Sequence, residues 1–321
     1  MSKKIALLFP GQGSQTVGMG RELSEKFPAA RAVFEEADAA LGFPLSQLCF
    51  EGPEDQLKLT EHTQPAILTV SVAASRVLVG HGITAAFAAG HSLGEYSAHV
   101  AAGTLSFSDA VKTVRNRGRY MQEAVPAGQG AMAAILSLPA DKIAALCAQA
   151  ARETGGVVSA ANLNSPDQTV ISGTVAGVER AAELCKEAGA RKTVMLSVSA
   201  PFHCALMQKA QDRLALDLHA LSFNAPKIPV AVNVDAVLVQ NADAARDALI
   251  RQVTGAVRWV ECMQLLIAQG VTHYIEVGPG KVLCGLMRQI CKDQPERAQT
   301  CLNVEDAASL EKTLAALAGA E

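Results

Sequence analysis

The chain has 321 residues, 50% of them apolar and 18% charged, with a formal net charge of −3. That is ample apolar material for two packed domains, or for one large domain carrying an insertion, and it excludes a disordered chain. The near-neutral balance, the lack of a long basic run and an aromatic content of 4% exclude nucleic acid as the main partner.

Eight cysteines stand at positions 49, 147, 185, 204, 262, 284, 291 and 301. None forms a C-x-x-C pair, so neither a zinc site nor a redox dithiol is expected, and they read as buried reduced thiols of a cytoplasmic protein. Met1-Ser2-Lys3-Lys4 leads into only five apolar residues before Pro10, too short for a secretory core. The uncharged run 77–94 has membrane length, but its four glycines and two histidines mark a helix end, a buried strand and a turn, so no membrane association is expected.

Ile5–Phe9, closed by Pro10-Gly11, predicts a buried strand. Helices are predicted over about 17–41 and 64–79, a second buried strand over 83–89, and further helices over 93–102 and 108–124. Short apolar strands alternating with helices predict a parallel sheet with helices on its faces. After Val125-Pro126-Ala127-Gly128 the texture changes. Strand 130–138, helix 141–153, strands 157–161 and 169–172, helix 175–188 and strand 193–198 give the order β-α-β-β-α-β of a ferredoxin-like unit. The expected organisation is a large α/β unit, 1–127 with 199–321, into which a small α+β unit, 128–198, is inserted. Helix 204–221, strands 228–233 and His273–Val277, and helices over about 243–253, 258–269 and 306–319 complete the large unit.

Gly90-His91-Ser92-Leu93-Gly94 matches G-x-S-x-G. The predicted strand before it and helix after it put Ser92 on the strand-to-helix turn that a nucleophile elbow requires, with helix N-terminal amides beside it for a developing oxyanion. The plainer reading is a glycine-rich βα turn with a serine cap.

A serine nucleophile needs a base within hydrogen-bond reach, and seven histidines compete. His91 should diverge from Ser92 at the turn. His62 and His81 fall in loop-like segments, His219 in an alternating polar stretch, His99 inside a helix, and His273 at the start of a strand. His203, in Pro201-Phe202-His203-Cys204, sits at a rigid junction by a domain boundary, where sites collect. Cys204 is a rival nucleophile without neighbours that would lower its pKa.

Lys112, Arg115 and Arg119 share one solvated stripe of the helix 108–124, whereas Arg117 turns about 200° from Arg115 onto the apolar face of Ala110, Val114 and Met121. A buried guanidinium needs an anion. Either an internal salt bridge or a socket for a substrate carboxylate answers that need. Gly11-Gln12-Gly13-Ser14-Gln15 follows the first strand without the G-x-G-x-x-G of a dinucleotide site, and it offers the Gln12 N–H as a second oxyanion donor. Gly278-Pro279-Gly280-Lys281 lacks P-loop spacing and predicts a turn into a helix, Val282–Ile290.

Taken together, the stretches 9–15, 90–96, Arg117-Gly118, Asn162-Leu163-Asn164-Ser165-Pro166, 201–204 and 276–280 resemble the malonyl-CoA:acyl-carrier-protein transacylase family of fatty-acid synthesis, nearly end to end. The resemblance implies a hydrolase-like α/β domain with a parallel sheet and a ferredoxin-like insertion. It implies Ser92 as nucleophile, His203 as base and Arg117 as the clamp for the malonyl carboxylate. The backbone N–H groups of Gln12 and Leu93 would form the oxyanion hole. A main-chain carbonyl near Gln252 would orient the histidine, and Phe202 would crowd an α-methyl group. It implies malonyl-CoA, coenzyme A and acyl carrier protein as partners, with no metal or redox cofactor. One departure stands out: the Asn-Pro often found after that glutamine is missing from 253–257. A serine esterase using His273, or a non-catalytic carrier-binding module, are the alternatives from other classes.

Overall fold

The computed structural model describes residues 3–198, 200–292 and 300–319. Ser199, where the large unit is expected to resume, and Met1-Ser2 lie outside them. Ten strands are assigned among the described residues: β1 Ile5–Phe9, β2 Phe87–Gly90, β3 Gly130–Leu136, β4 Val158–Ser165, β5 Gln168–Thr174, β6 Lys192–Met195, β7 Val230–Val232, β8 Val237–Val239, β9 His273–Val277 and β10 Thr300–Val304.

Six of them form one sheet in the order β10-β9-β1-β2-β7-β8. All neighbours are parallel except β7 and β8. The physical reason is in β1. Leu7 and Phe9 enter one apolar cluster while Ala6 and Leu8 enter another on the opposite face. A strand buried on both faces reads as a continuous apolar run, and helices must cover each face. The helix Thr60–Gly80 does much of this covering and is buried along most of its length.

The parallel register sets the function-bearing edge. The C-terminal ends of β1, β2 and β7 lie side by side, so the chain leaving each strand meets the others. In open parallel sheets this edge is where ligands bind.

The remaining strands form a four-stranded antiparallel sheet in the order β4-β5-β3-β6, the order of a ferredoxin-like unit. The helices Ala140–Thr154 and Val175–Glu187 cover one face through Ile143, Cys147, Val178 and Cys185. The other face carries the small cluster Met132, Ala134, Ala161 and Val170, against which Phe202 packs. Two backbone bonds tie β4 to the large sheet's side: Val257 N–H donates to Ala161 O at 2.8 Å, and Leu163 N–H to Val257 O at 2.9 Å.

Several elements differ from their sequence-based outlines. The helix expected over 17–41 is two, Arg21–Lys26 and Pro28–Leu41, because Phe27 before a proline takes an extended conformation at φ −121°. The strand expected over 83–89 is only Phe87–Gly90. Ile83 instead turns its N–H back to Leu78 O and closes the end of the preceding helix. His62, expected in a loop, lies in the helix Thr60–Gly80. The short helices Leu45–Glu51 and Glu54–Leu57, and strands β8 and β10, had no sequence signal. Among the described residues no helix is long and apolar enough to cross a membrane, and the eight cysteines are free thiols.

His99, in the helix Gly94–Ala101, is fully buried with neither ring nitrogen partnered, and burial pushes its pKa down to about 3. An unfolded histidine titrates near about 6.5, so between these values the unfolded state holds the extra proton and stability falls as pH falls. His99→Leu should therefore flatten the acid loss of stability between about pH 6 and pH 4, read from urea midpoints. An unaltered slope would mean that His99 is not held neutral in the native state.

Candidate active site

Ser92 follows β2 at φ 51°, a left-handed conformation that side-chain-bearing residues adopt only under constraint. The constraint comes from the neighbouring strand end. Asn233, just past β7, accepts the Ser92 N–H on Oδ1 at 2.7 Å and donates Nδ2 to Gly90 O at 2.8 Å. Close approach does the rest. A Cβ on Gly90 would lie 1.9 Å from the Gly94 carbonyl carbon, and one on Gly94 would lie 2.0 Å from Phe9 O. Gly90 is thus required where the helix start folds back onto the end of β2, and Gly94 where that helix start packs onto the end of β1.

His203 also has positive φ, 58°. Its Nε2 is 2.7 Å from Ser92 Oγ. Its Nδ1 faces two carbonyl oxygens, Gln252 O at 2.9 Å and Gly255 O at 3.1 Å. Two acceptors at Nδ1 fix the hydrogen there, which leaves Nε2 as an acceptor for the serine hydroxyl. Burial, aided by the nearby Arg117 charge, pushes the His203 pKa down to about 3, so the ring is neutral. The stretch 253–257 lacks Asn-Pro, yet Gly255 within it supplies the second acceptor. Among the described residues no carboxylate bonds the ring.

Arg117 projects from the helix Phe107–Glu123 and is 1% exposed. Gly118 beside it lets this helix approach Thr60, where a Cβ would sit 2.6 Å from the Thr60 carbonyl oxygen. Nη1 donates to Gln64 Oε1 at 2.9 Å, and Nη2 donates to Gln252 Oε1 at 3.0 Å and to Ser92 Oγ at 3.2 Å. Nε has no partner. Among the described residues no carboxylate reaches ion-pair distance, so neutral amide oxygens hold a full cation. The Tyr96 ring lies 5.7 Å from the guanidinium carbon and stabilises the charge further.

A cavity of about 440 Å³ opens over these groups and is lined by Gln12, Ser92, Leu93, Arg117, Phe202 and His203 among others. Gln12 leaves β1 and Leu93 begins the helix after Ser92, and neither backbone N–H has a protein acceptor among the described residues. Gln252 does not line the cavity. It is fully buried behind Arg117 and Ser92. His91 diverges as expected, with Nε2 2.8 Å from Asn164 Oδ1 and its ring edge-on to Trp259. His273 pairs in register with Ile5 at the start of the parallel strands, the edge opposite Ser92. Cys204 is buried, its thiol pKa raised by desolvation.

Sequence reasoning missed Asn233, Gln64 and Glu95. Glu95 is fully buried and accepts Asn233 N–H at 2.8 Å and Gln252 Nε2 at 2.9 Å, both on Oε2. Burial raises its pKa to about 7. Its one available signal was a carboxylate in an uncharged stretch directly after the serine turn.

Residues 6–313 match the family described as acyl transferase domain. The chain is 52% identical over 288 residues to the malonyl CoA-acyl carrier protein transacylase of Escherichia coli strain K12, covering 89% of this chain and 93% of that one. Against the protein of the same name from Bacillus subtilis strain 168 the identity is 52%, covering 89% and 90%. The crystal structure of an acyl carrier protein S-malonyltransferase from Vibrio cholerae superposes with a TM-score of 0.93 at 50% identity, covering 97% of this chain and 100% of that one. A malonyl-transacylase solved in complex with its type II PKS acyl-carrier protein superposes with a TM-score of 0.93 at 44% identity, covering 99% and 100%.

Removing the Asn233 side chain strands the buried Gly90 carbonyl and the partly buried Ser92 N–H, at about 1–3 kcal/mol each. Asn233→Ala should therefore lower unfolding stability by about 2–4 kcal/mol in denaturant titrations. Parental stability would show that the serine turn is held by something else.

Proposed function

The chain belongs to the acyl transferase domain family, and we propose that it moves a malonyl group from malonyl-CoA to the pantetheine thiol of an acyl carrier protein through a malonyl-serine intermediate. The observation that carries this reading is a single oxygen. Ser92 Oγ lies 2.7 Å from a neutral imidazole and 3.2 Å from a buried guanidinium that no carboxylate among the described residues pairs with. A hydroxyl with a base on one side and an unneutralised cation on the other suits an acyl group that ends in a carboxylate.

In the first half-reaction His203 Nε2 takes the Ser92 proton as Oγ attacks the thioester carbonyl carbon. The carbonyl oxygen becomes an oxyanion, which the Gln12 and Leu93 N–H groups stabilise; one such donor is typically worth about 10²–10³ in rate. The carbon–sulfur bond then breaks, and the sulfur takes the proton back from His203 as coenzyme A leaves. In the second half-reaction the carrier thiol gives its proton to His203 and attacks the malonyl ester. The ester C–O bond breaks and Ser92 regains its proton. No step calls for a metal or redox cofactor. The two carbonyls at Nδ1 hold the imidazole as an acidic group does in a triad.

Arg117 pairs with the malonyl carboxylate in this scheme, and its place on the cavity wall beside Ser92 supports that role. The half-buried Phe202 ring on the cavity wall crowds an α-methyl substituent. We assign the catalytic edge to the unit 1–127 with 199–321, and the opposing wall to the inserted unit 128–198, which contributes Met132, Asn162 and Val170 to the cavity.

Intact-mass measurement after exposure to malonyl-CoA should show one added malonyl group, lost on addition of holo carrier, with Ser92→Ala unlabelled. A parent protein that is never labelled, or that passes the group only to water, would overturn the transferase reading. Arg117→Ala should lower kcat/KM for malonyl-CoA by about 10²-fold or more while acetyl transfer holds or rises. An unchanged preference would remove Arg117 from substrate recognition.

A further inference from the structure

The Gln252 side chain is a neutral amide with two faces, and everything around it has a fixed polarity. Oε1 meets the Arg117 Nη2 donor at 3.0 Å. Nε2 meets acceptors only: Glu95 Oε2 at 2.9 Å, Ser92 O at 3.0 Å and Asn233 Oδ1 at 3.4 Å. Turned over, the amide would point a donor at the guanidinium and an acceptor at the carboxylate. Both contacts would be repulsive and buried, where unmade hydrogen bonds cost most. Glu95 is the titratable member of that acceptor set. It is itself locked, since the same Oε2 takes the Asn233 backbone N–H while Oε1 has no partner.

We propose that Glu95 is a positioning residue for acyl-group selectivity: its Oε2 fixes the orientation of the Gln252 amide, which in turn presents an acceptor to Arg117 and aims the guanidinium at the acyl chain on Ser92. Glu95 does not line the cavity, and it acts through Gln252. The proposal rests on the malonyl-transfer reading above. It goes further in making one specific oxygen position, rather than a negative charge near the cation, the determinant.

Position and charge separate cleanly in two small substitutions. Glu95→Gln can keep a carbonyl oxygen at the Oε2 site, and its amide nitrogen then falls at the Oε1 site, where no bond is lost. Glu95→Asp keeps the charge and withdraws the acceptor by one methylene. With malonyl-CoA and acetyl-CoA as donors and a holo acyl carrier protein as acceptor, Glu95→Gln should hold the malonyl-to-acetyl ratio of kcat/KM within about threefold of the parent. Glu95→Asp should lower that ratio by about tenfold or more, through KM for malonyl-CoA, with kcat for acetyl transfer little altered. The reverse order would assign Glu95 an electrostatic role and overturn the proposal. Equal losses for both donors would reduce it to structural support, and no change in either variant would also overturn it.

Gln252→Leu gives an independent route should Glu95→Asp fail to fold. It removes the amide and should cost the same selectivity. Where Glu95→Asp does fold, adding it to Gln252→Leu should cost no more, the non-additivity expected of residues acting in series. A Gln252→Leu protein that keeps its malonyl preference sinks the proposal. A parent enzyme with no malonyl preference would instead sink the functional reading on which it rests.

Discussion

Two residues that carry side chains, Ser92 and His203, are held at positive φ, and their side-chain tips meet at 2.7 Å. Neither conformation is stable for an isolated peptide, and each such residue costs on the order of 1–3 kcal/mol. The serine turn is offset by Asn233, which bonds the backbone on both sides of it, and by two glycines, Gly90 letting the turn close on itself and Gly94 letting it lie against β1. The histidine is anchored by the carbonyls of Gln252 and Gly255. These supports come from β1, β2 and β7 and from the segment after the helix Ala242–Arg251, so the Ser92–His203 pair exists only once the parallel sheet is assembled.

Arg117 shows how such a scaffold handles a buried charge. An ion pair would satisfy it fully and close it to any ligand. Two amide oxygens, a serine hydroxyl and a tyrosine ring stabilise the cation while leaving its charge uncancelled. The buried carboxylate of Glu95 contributes its field from beyond the Gln252 amide without touching the guanidinium. Burial alone would disfavour the charged form, and the planar, delocalised guanidinium tolerates it better than an ammonium would.

How much of this was legible in the sequence depends on the range of the interaction. Two-sided burial writes itself as apolar runs, so β1 and β9 have the residues expected of them. The wrong face of Arg117 was visible because helical periodicity is local. Ser92 was legible for the same reason, as a glycine-flanked turn between a strand and a helix. Asn233, Gln64 and Glu95 were not. Each looks like an ordinary polar residue until strand order brings position 233 beside position 92 and helix packing brings position 64 beside position 117. Ile83 misled because an apolar residue capping a helix end and one opening a strand have the same local signature.

The short connection from Gln252 to Val257 serves two masters. Within it, Gln252 and Gly255 supply both carbonyls that grip the imidazole, and its last residue is stitched by backbone bonds to β4 of the small sheet. The wall across from the serine and the tether of His203 are therefore mechanically one piece. Any widening of the cleft would pass strain along at most five peptide links to the carbonyls that hold His203, so the width of the cleft and the alignment of the imidazole are coupled.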